Sequence, residues 1–317
     1  MKYLFIAAVH YLKLENEEIK IPLQAGYLSN ESNTLEMILS NNLSLHTLGL
    51  HSIDEIRDAP SYYVLEGDFS KEYDQSKIDA VGTSICFAFL RQIQAYVGSL
   101  WEICDNSIYV RDGFLYSYNE IISDGCTFKV SVSTINSKAT GAIESVSIPT
   151  SLLMEQGKIM EIFIKDNGFN EIGDYKTATQ IQHYKKSGLS RKALASVYIA
   201  LARGQASIPM KLLLYCSAAE ALVANSETEL SHRVAERMAS LLGNNTEERV
   251  DIYSNIKLGY DTRSKVAHGA LIKKDETLIQ RCSTNIDDYL RKALKLEVPF
   301  SLNDKDFEDF FLRKLMN

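Results

Sequence analysis

Hydrophobic and polar positions follow two different rhythms along this chain. The first run, Tyr3 to Val9, is apolar and reads as a buried first strand. It continues into His10-Tyr11-Leu12-Lys13 with no small-residue cleavage site, so it is not read as a secretory signal. Val81, Ile85, Phe89, Ile93 and Val97 recur every four residues and predict a helix over about Ser76 to Trp101. Ile108 to Tyr118 is apolar and aromatic, with Asp112-Gly113 expected as a hairpin turn. Lys129-Val130-Ser131-Val132-Ser133 alternates as a half-buried strand does, and Lys158 to Lys165 is expected as a further sheet element.

From about Lys176 the period of two gives way to helical spacing. Gly188-Leu189-Ser190 opens a helix that runs to about Arg203. Ser207-Ile208-Pro209 starts another, with proline in its first turn, and that helix is nearly all apolar to about Ala224, as a central helix would be. The next spans about Glu229 to Leu242 and stops at Gly243. Asn245 and Glu248 form a capping box for the one after it, which is expected to end near Leu258 with Gly259 as its C-terminal cap. Asp261 or Thr262 would then cap a new helix, placing Arg263 at a helix N-terminus, where free N–H groups favour an anion. A long helix over about Glu276 to Leu296 and a last one capped by Asn303 complete the pattern. The fold class expected is an α+β domain over residues 1–175, followed by an all-helical bundle over 176–317.

With 45% hydrophobic and 24% charged residues, the 317-residue chain is composed for two folded domains rather than for disorder. Its five cysteines are scattered without a CxxC pair, which argues against a disulfide framework and against a zinc site. No apolar stretch approaches the roughly 20 residues of a membrane span, and the expected location is the cytoplasm. The net charge of −7 is unevenly spread. Residues 1–184 hold 13 basic and 24 acidic side chains, residues 185–273 hold 13 and 8, and residues 274–317 hold 8 and 9. A polyanion therefore has a basic stretch to dock on, within an acidic whole.

Glycine-rich phosphate loops, His-Glu-x-x-His and Gly-x-Ser-x-Gly are all missing from the sequence. Of six histidines, His10, His46, His51, His183 and His232 lack a suggestive neighbour. His268 follows Arg263 with four residues between, in "YDTRSKVAHG". An imidazole serves as general base or acid near neutrality, and a guanidinium pairs two phosphate oxygens. The bare spacing is common by chance, so its weight lies in context.

That context resembles the HEPN signature of an Arg, four to six residues and a His. Tyr-Asp before the Arg, Ser after it and Gly after the His are similar to the Apea-like branch, which is linked to abortive phage infection and toxin-type RNA cleavage. The upstream "LLLYCSAAEALV", with Glu220, and "HRVAERMASLLG" resemble its earlier helices, and the likeness covers about Leu189 to Leu296. The segment "LRQIQAYVGSLWEICDNSIYV" resembles sequences that precede such domains.

The resemblance implies an endoribonuclease that needs neither metal nor cofactor. The RNA 2′-OH would attack the phosphorus, leaving a 2′,3′-cyclic phosphate and a 5′-OH, with Arg263 and His268 catalytic. It also implies a homodimer through the helical domain, which supplies a second proton carrier. RNA is the expected partner, and an inhibitor or phage-derived trigger is expected at the N-terminal domain. Ser264 either bonds the phosphate or the His, or is only a first-turn residue. Glu220 either orients Arg263 or pairs with Arg233 or Arg237. Asp261 is expected to cap a helix. Lys265, Arg233 and Arg237 are expected to attract RNA. Two other readings stand beside the enzyme: a HEPN nucleotide-binding or dimerisation module without turnover, and a structural bundle in which Arg263 merely pairs with Glu220.

Overall fold

The computed structural model describes residues 1–71, 73–166, 190–225 and 229–316. By internal contacts the chain divides into two units: Met1–Asn136 with Ile143–Thr177, and Ser137–Ala142 with Ala178–Asn317. The boundary expected at 175/176, the opening of the helix at Gly188-Leu189, and His183 lie outside the described residues.

The first unit is built on a six-stranded antiparallel sheet. Its strands are β1 (Lys2–Val9), β3 (Lys20–Pro22), β4 (Tyr27–Ser29), β5 (Ser61–Asp68), β6 (Asp112–Tyr118) and β7 (Cys126–Ser131), in the order β3-β4-β5-β1-β6-β7. Two short strands, β2 (Leu12–Lys13) and β8 (Val146–Ser147), pair apart from it in parallel. The apolar run of β1 is explained by its central place. Phe5, Ala7 and Val9 join one core, with Ile85, Phe89 and Ile93 of the long helix α4 (Gln75–Ser99). Leu4, Ile6 and Ala8 join another, under α1 (Ser32–Leu39), α2 (Asn42–Thr47) and α3 (Leu50–Asp58). Successive side chains leave a strand on opposite faces, so a strand covered on both sides has no polar position. Asp74 starts α4 by accepting the Lys77 N–H at 2.8 Å.

Two expectations for this unit are corrected. Asp112-Gly113 is not a turn. It opens β6, paired with Ser131 and Val130, and the Asp112 carboxylate takes the Arg111 guanidinium at 3.1 Å. Lys158 to Lys165 is not a strand but part of α6 (Lys158–Asp166), which follows α5 (Thr150–Gln156). Met160 is fully buried while Ile162 is 60% exposed. A strand would put both on one face, whereas a helix separates them by about 200°.

The second unit is helical: α7 (Arg191–Arg203), α8 (Ile208–Val223), α9 (Leu230–Leu242), α10 (Thr246–Ala267), α11 (Glu276–Lys295) and α12 (Asp304–Met316). The apolar α8 is central, burying Leu212, Tyr215, Cys216, Ala219 and Leu222 among its neighbours. The fully buried Lys211 donates to the carbonyls of Ala202 and Ser137, at 2.9 and 3.1 Å, and Ser283 donates to that of Ala139 at 2.7 Å. The short segment Ser137–Ala142 is thus an integral part of this unit. Asn245 caps α10 as expected, accepting the Glu248 N–H on Oδ1 at 2.9 Å, while the Glu248 carboxylate takes the Asn244 N–H at 2.9 Å in place of the Asn245 N–H that would complete a capping box.

Candidate functional site

Helix α10 determines the geometry, and it corrects the sequence reading. It runs unbroken through Gly259, with Asp261, Thr262 and Arg263 all inside it, and ends at Ala267. Gly259 serves close packing instead of a helix stop. A Cβ there would lie 2.5 Å from Ile286 Cδ1 and 3.4 Å from Cys216 Sγ, so glycine lets α10 press against α11 and α8. The residue that does end the helix is Gly269, with φ +64°. His268 is the C-cap. The Gly269 N–H donates to Val266 O at 3.2 Å and the Ala270 N–H to Lys265 O at 2.8 Å, the two bonds of a Schellman motif.

Arg263 therefore sits near the C-terminal end of a helix, just before its last turn, and not in the first. The backbone at this end presents carbonyls, not N–H donors, so any anion bound here must be held by side chains.

Arg263 is braced from α8. Its Nη1 lies 3.1 Å from Glu220 Oε1 and its Nη2 donates to Glu220 Oε2 at 3.4 Å. The Tyr260 hydroxyl donates to the same Oε1 at 3.0 Å, and the guanidinium carbon lies 5.5 Å from the centre of the Tyr260 ring. Burial, and then the adjacent Glu220 carboxylate, push the Tyr260 phenol well above its ordinary value, so it stays a neutral donor. Beneath this trio lie the buried thiols of Cys216 and Cys282. Burial raises both, Cys282 to about 12. The Arg263 side chain keeps one third of its surface exposed, so its remaining N–H donors stay within reach of a ligand.

The sequence-derived residues separate into groups. Glu220 and Arg263 come together, with Tyr260, a residue to which the sequence reading gave no role. Tyr260 lies one turn before Arg263, on the same side of α10, and that spacing was the available signal. Asp261 is not a cap. Its Oδ2 pairs with Lys274 at 2.8 Å and Lys265 at 3.2 Å, and these two ammoniums hold its carboxyl below the usual range. Ser264 is exposed, and its carbonyl accepts the His268 N–H at 3.1 Å. The His268 ring is exposed and makes no hydrogen bond or ion pair among the described residues. Arg237 is taken up in the core. It donates to Val223 O, pairs with Glu308 at 2.7 Å, and lies over the Phe311 ring. It is a structural anchor between α8, α9 and α12 and not an RNA contact. Arg233 is half-buried on α9, and its side chain meets no partner among the described residues.

A second polar cluster, unmarked in the sequence, lies in the first unit. His10 Nε2 is 3.2 Å from Glu55 Oε1, and Glu55 also pairs with Arg111. His10 stacks on Tyr109 with ring centres 4.6 Å apart, and His10, Glu55 and Arg111 line a cleft of about 520 Å3 with Tyr11, Asp54 and Asp58. These residues are far apart in sequence and meet only through the sheet and α3. Among the described residues, no three His, Cys, Asp or Glu side chains converge as metal ligands, and no helix is long and apolar enough to cross a membrane. Comparison with models of protein families, with curated proteins and with solved structures finds no match for this chain.

Proposed function

We propose that the helical unit is a HEPN-type endoribonuclease, with Arg263 and His268 as its catalytic residues. The observation that carries this reading is the presence of a braced but accessible Arg263 and an exposed, unbonded His268 at the C-terminal end of one helix. Arg263 would neutralise charge building on the phosphate. One His268 would take the proton from the 2′-OH as that oxygen attacks phosphorus, and another would give a proton to the departing 5′-oxygen. The P–O5′ bond breaks, leaving a 2′,3′-cyclic phosphate and a 5′-OH. The reading includes a role in phage defence or a toxin system, through the resemblance to the Apea-like branch.

Helix geometry supports a site shared by two chains. Five residues along a helix turn a side chain by about 140° and advance it by about 7.5 Å, so Arg263 and His268 of one chain leave the helix in different directions. A two-fold pair of chains brings two copies of each to one place. Expression should arrest growth, and His268→Ala should relieve the arrest. Light scattering should show a dimer at concentrations where RNA is cleaved. A fully active monomer would refute the shared site, and arrest unchanged by His268→Ala would refute the catalytic role. A purely structural Arg263–Glu220 pair predicts instead that Arg263→Lys, which keeps the charge, leaves every activity intact.

A further inference from the structure

The helical unit holds a pocket of about 390 Å3, lined in part by the segment that follows His268. Its apolar walls are Ile208 and Pro209 from the first turn of α8, Ile272 from the segment after His268, and the buried Ile279 from α11. Its polar lining includes Ser207, Lys274 and Glu276. The Ser207 hydroxyl caps no backbone N–H, although the residue stands at the N-cap of a 16-residue helix. The volume suits a single nucleoside, and the mixture of aliphatic walls with a few donors and acceptors suits a flat heterocycle with a polar edge.

Position and charge choose the occupant. Ile272 follows His268 by four residues, so the two Cα atoms lie within about 14 Å of each other even with the chain fully extended. Lys274 lines the pocket and also reaches Asp261 Oδ2 at 2.8 Å, the oxygen that Lys265 meets at 3.2 Å, so the two ammoniums lie within about 6 Å of each other. Asp261 and Lys265 fall at i and i+4 on one face of α10, and the C-cap His268 follows three residues on. The two ammoniums outnumber the one carboxylate they share, with Glu276 the other charge on the lining, and together they offer a bridging phosphate two donors. We infer that this pocket is a base-binding subsite for single-stranded RNA. One nucleobase inserts between Ile272 and Pro209, and its phosphate rests on Lys265 and Lys274. This inference rests on the ribonuclease reading and adds to it a preference for unpaired RNA, since a base must be free of its pair and stack to be inserted.

The test uses the full chain and a 2′-O-methyl RNA octamer, whose blocked nucleophile permits binding without cleavage. Affinity is read by fluorescence anisotropy for the intact octamer and for octamers with one abasic position moved along the strand. The wild type should lose about five-fold or more at one position, the low end of the range for a bound base. Ile272→Asp should bind intact and abasic strands alike, and Ile272→Ala should fall between, with thermal unfolding confirming that both variants are folded. Indifference of the wild type to every abasic position would overturn the inference, as would full base dependence in Ile272→Asp. Cleavage of unmodified RNA is measured in parallel. Cleavage without base dependence overturns the pocket alone. Base-dependent binding without cleavage overturns the ribonuclease reading and keeps the pocket. Neither binding nor cleavage overturns both.

Discussion

Glu220 on α8 and Arg263 on α10 face each other as an ion pair, 3.1 Å between Oε1 and Nη1, and the Tyr260 hydroxyl locks the same carboxylate oxygen from the turn before. The pair ties the central helix of the bundle to the helix that carries the candidate chemistry. A long, otherwise free guanidinium is thereby restricted to a narrow range of positions.

Removing the brace should affect chemistry more than folding. Glu220→Gln should cost only about 1 kcal/mol of stability, because both side chains remain partly solvated. It should lower kcat by about 10- to 100-fold, as loss of orientation typically does. Tyr260→Phe should act in the same direction and less strongly. Thermal unfolding beside RNA cleavage rates checks this, and equal rates in wild type and Glu220→Gln would show that the pair does not position Arg263.

The two glycines of α10 should respond to substitution for opposite reasons. Gly259→Ala gains up to about 1 kcal/mol of helix propensity but drives a methyl into the buried Ile286, so a net loss of about 1–2 kcal/mol is expected. Gly269→Ala meets nothing within 4 Å, and its cost of about 1 kcal/mol comes from the backbone at φ +64°. Gly269→Asn should be milder, since Asn tolerates that conformation better. Chemical denaturation of the three variants separates the two mechanisms.

Gly259 also shows where the sequence stopped being legible. A glycine at the end of an amphipathic run signals a helix stop, and the same glycine signals close approach of two helices. Only Ile286 and Cys216, distant in sequence, decide between them. That single ambiguity moved Arg263 from a helix start to a helix end. Lys158 to Lys165 failed in a similar way, because its β-branched residues fit either period and the exposure of Ile162 depends on neighbours. Local chemistry was sufficient for the Asn245 cap, the stripe of α4 and the burial of β1. The partnership of Arg263 with Glu220 was legible as one of three options. The Asp261–Lys274 bridge, the burial of Arg237 and the His10–Glu55–Arg111 cluster depend on the packing of remote segments.

The helical unit should not be fully stable when cut out at residue 176. Such a chain lacks the carbonyls of Ser137 and Ala139, which accept from Lys211 and Ser283. Each buried donor left short costs about 1–3 kcal/mol. Residues 176–317 should therefore unfold at a lower temperature by calorimetry than the same helices in the whole protein. Lys211→Met should harm the cut chain less than the whole one. Equal unfolding temperatures would show that Ser137–Ala142 contributes nothing.

His10 should make stability fall on mild acidification. Burial lowers its titration below the ordinary 6.5 and outweighs the opposing pull of Glu55, while Arg111 adds to the lowering. The unfolded chain then takes up the proton near pH 6.5 and the folded chain resists it, so unfolding becomes easier as pH drops from about 6.5 to the folded value. The slope from this one group is at most about 1.4 kcal/mol per pH unit. Unfolding temperatures of wild type and His10→Gln, compared from pH 8 to pH 5, should diverge in that window. A ring signal titrating at or above 6.5 by NMR would contradict it.

If Arg263 and His268 cleave RNA through its own 2′-OH, the chemistry of the product ends reports it directly. Purified full-length protein is incubated with single-stranded RNA in excess EDTA, and the products are analysed by mass spectrometry. The wild type should leave 2′,3′-cyclic phosphate and 5′-OH ends, with rates at least about 100-fold lower for Arg263→Ala and for His268→Ala. Cleavage that appears only when a divalent ion is added, 5′-phosphate products, or undiminished cleavage by His268→Ala would contradict it.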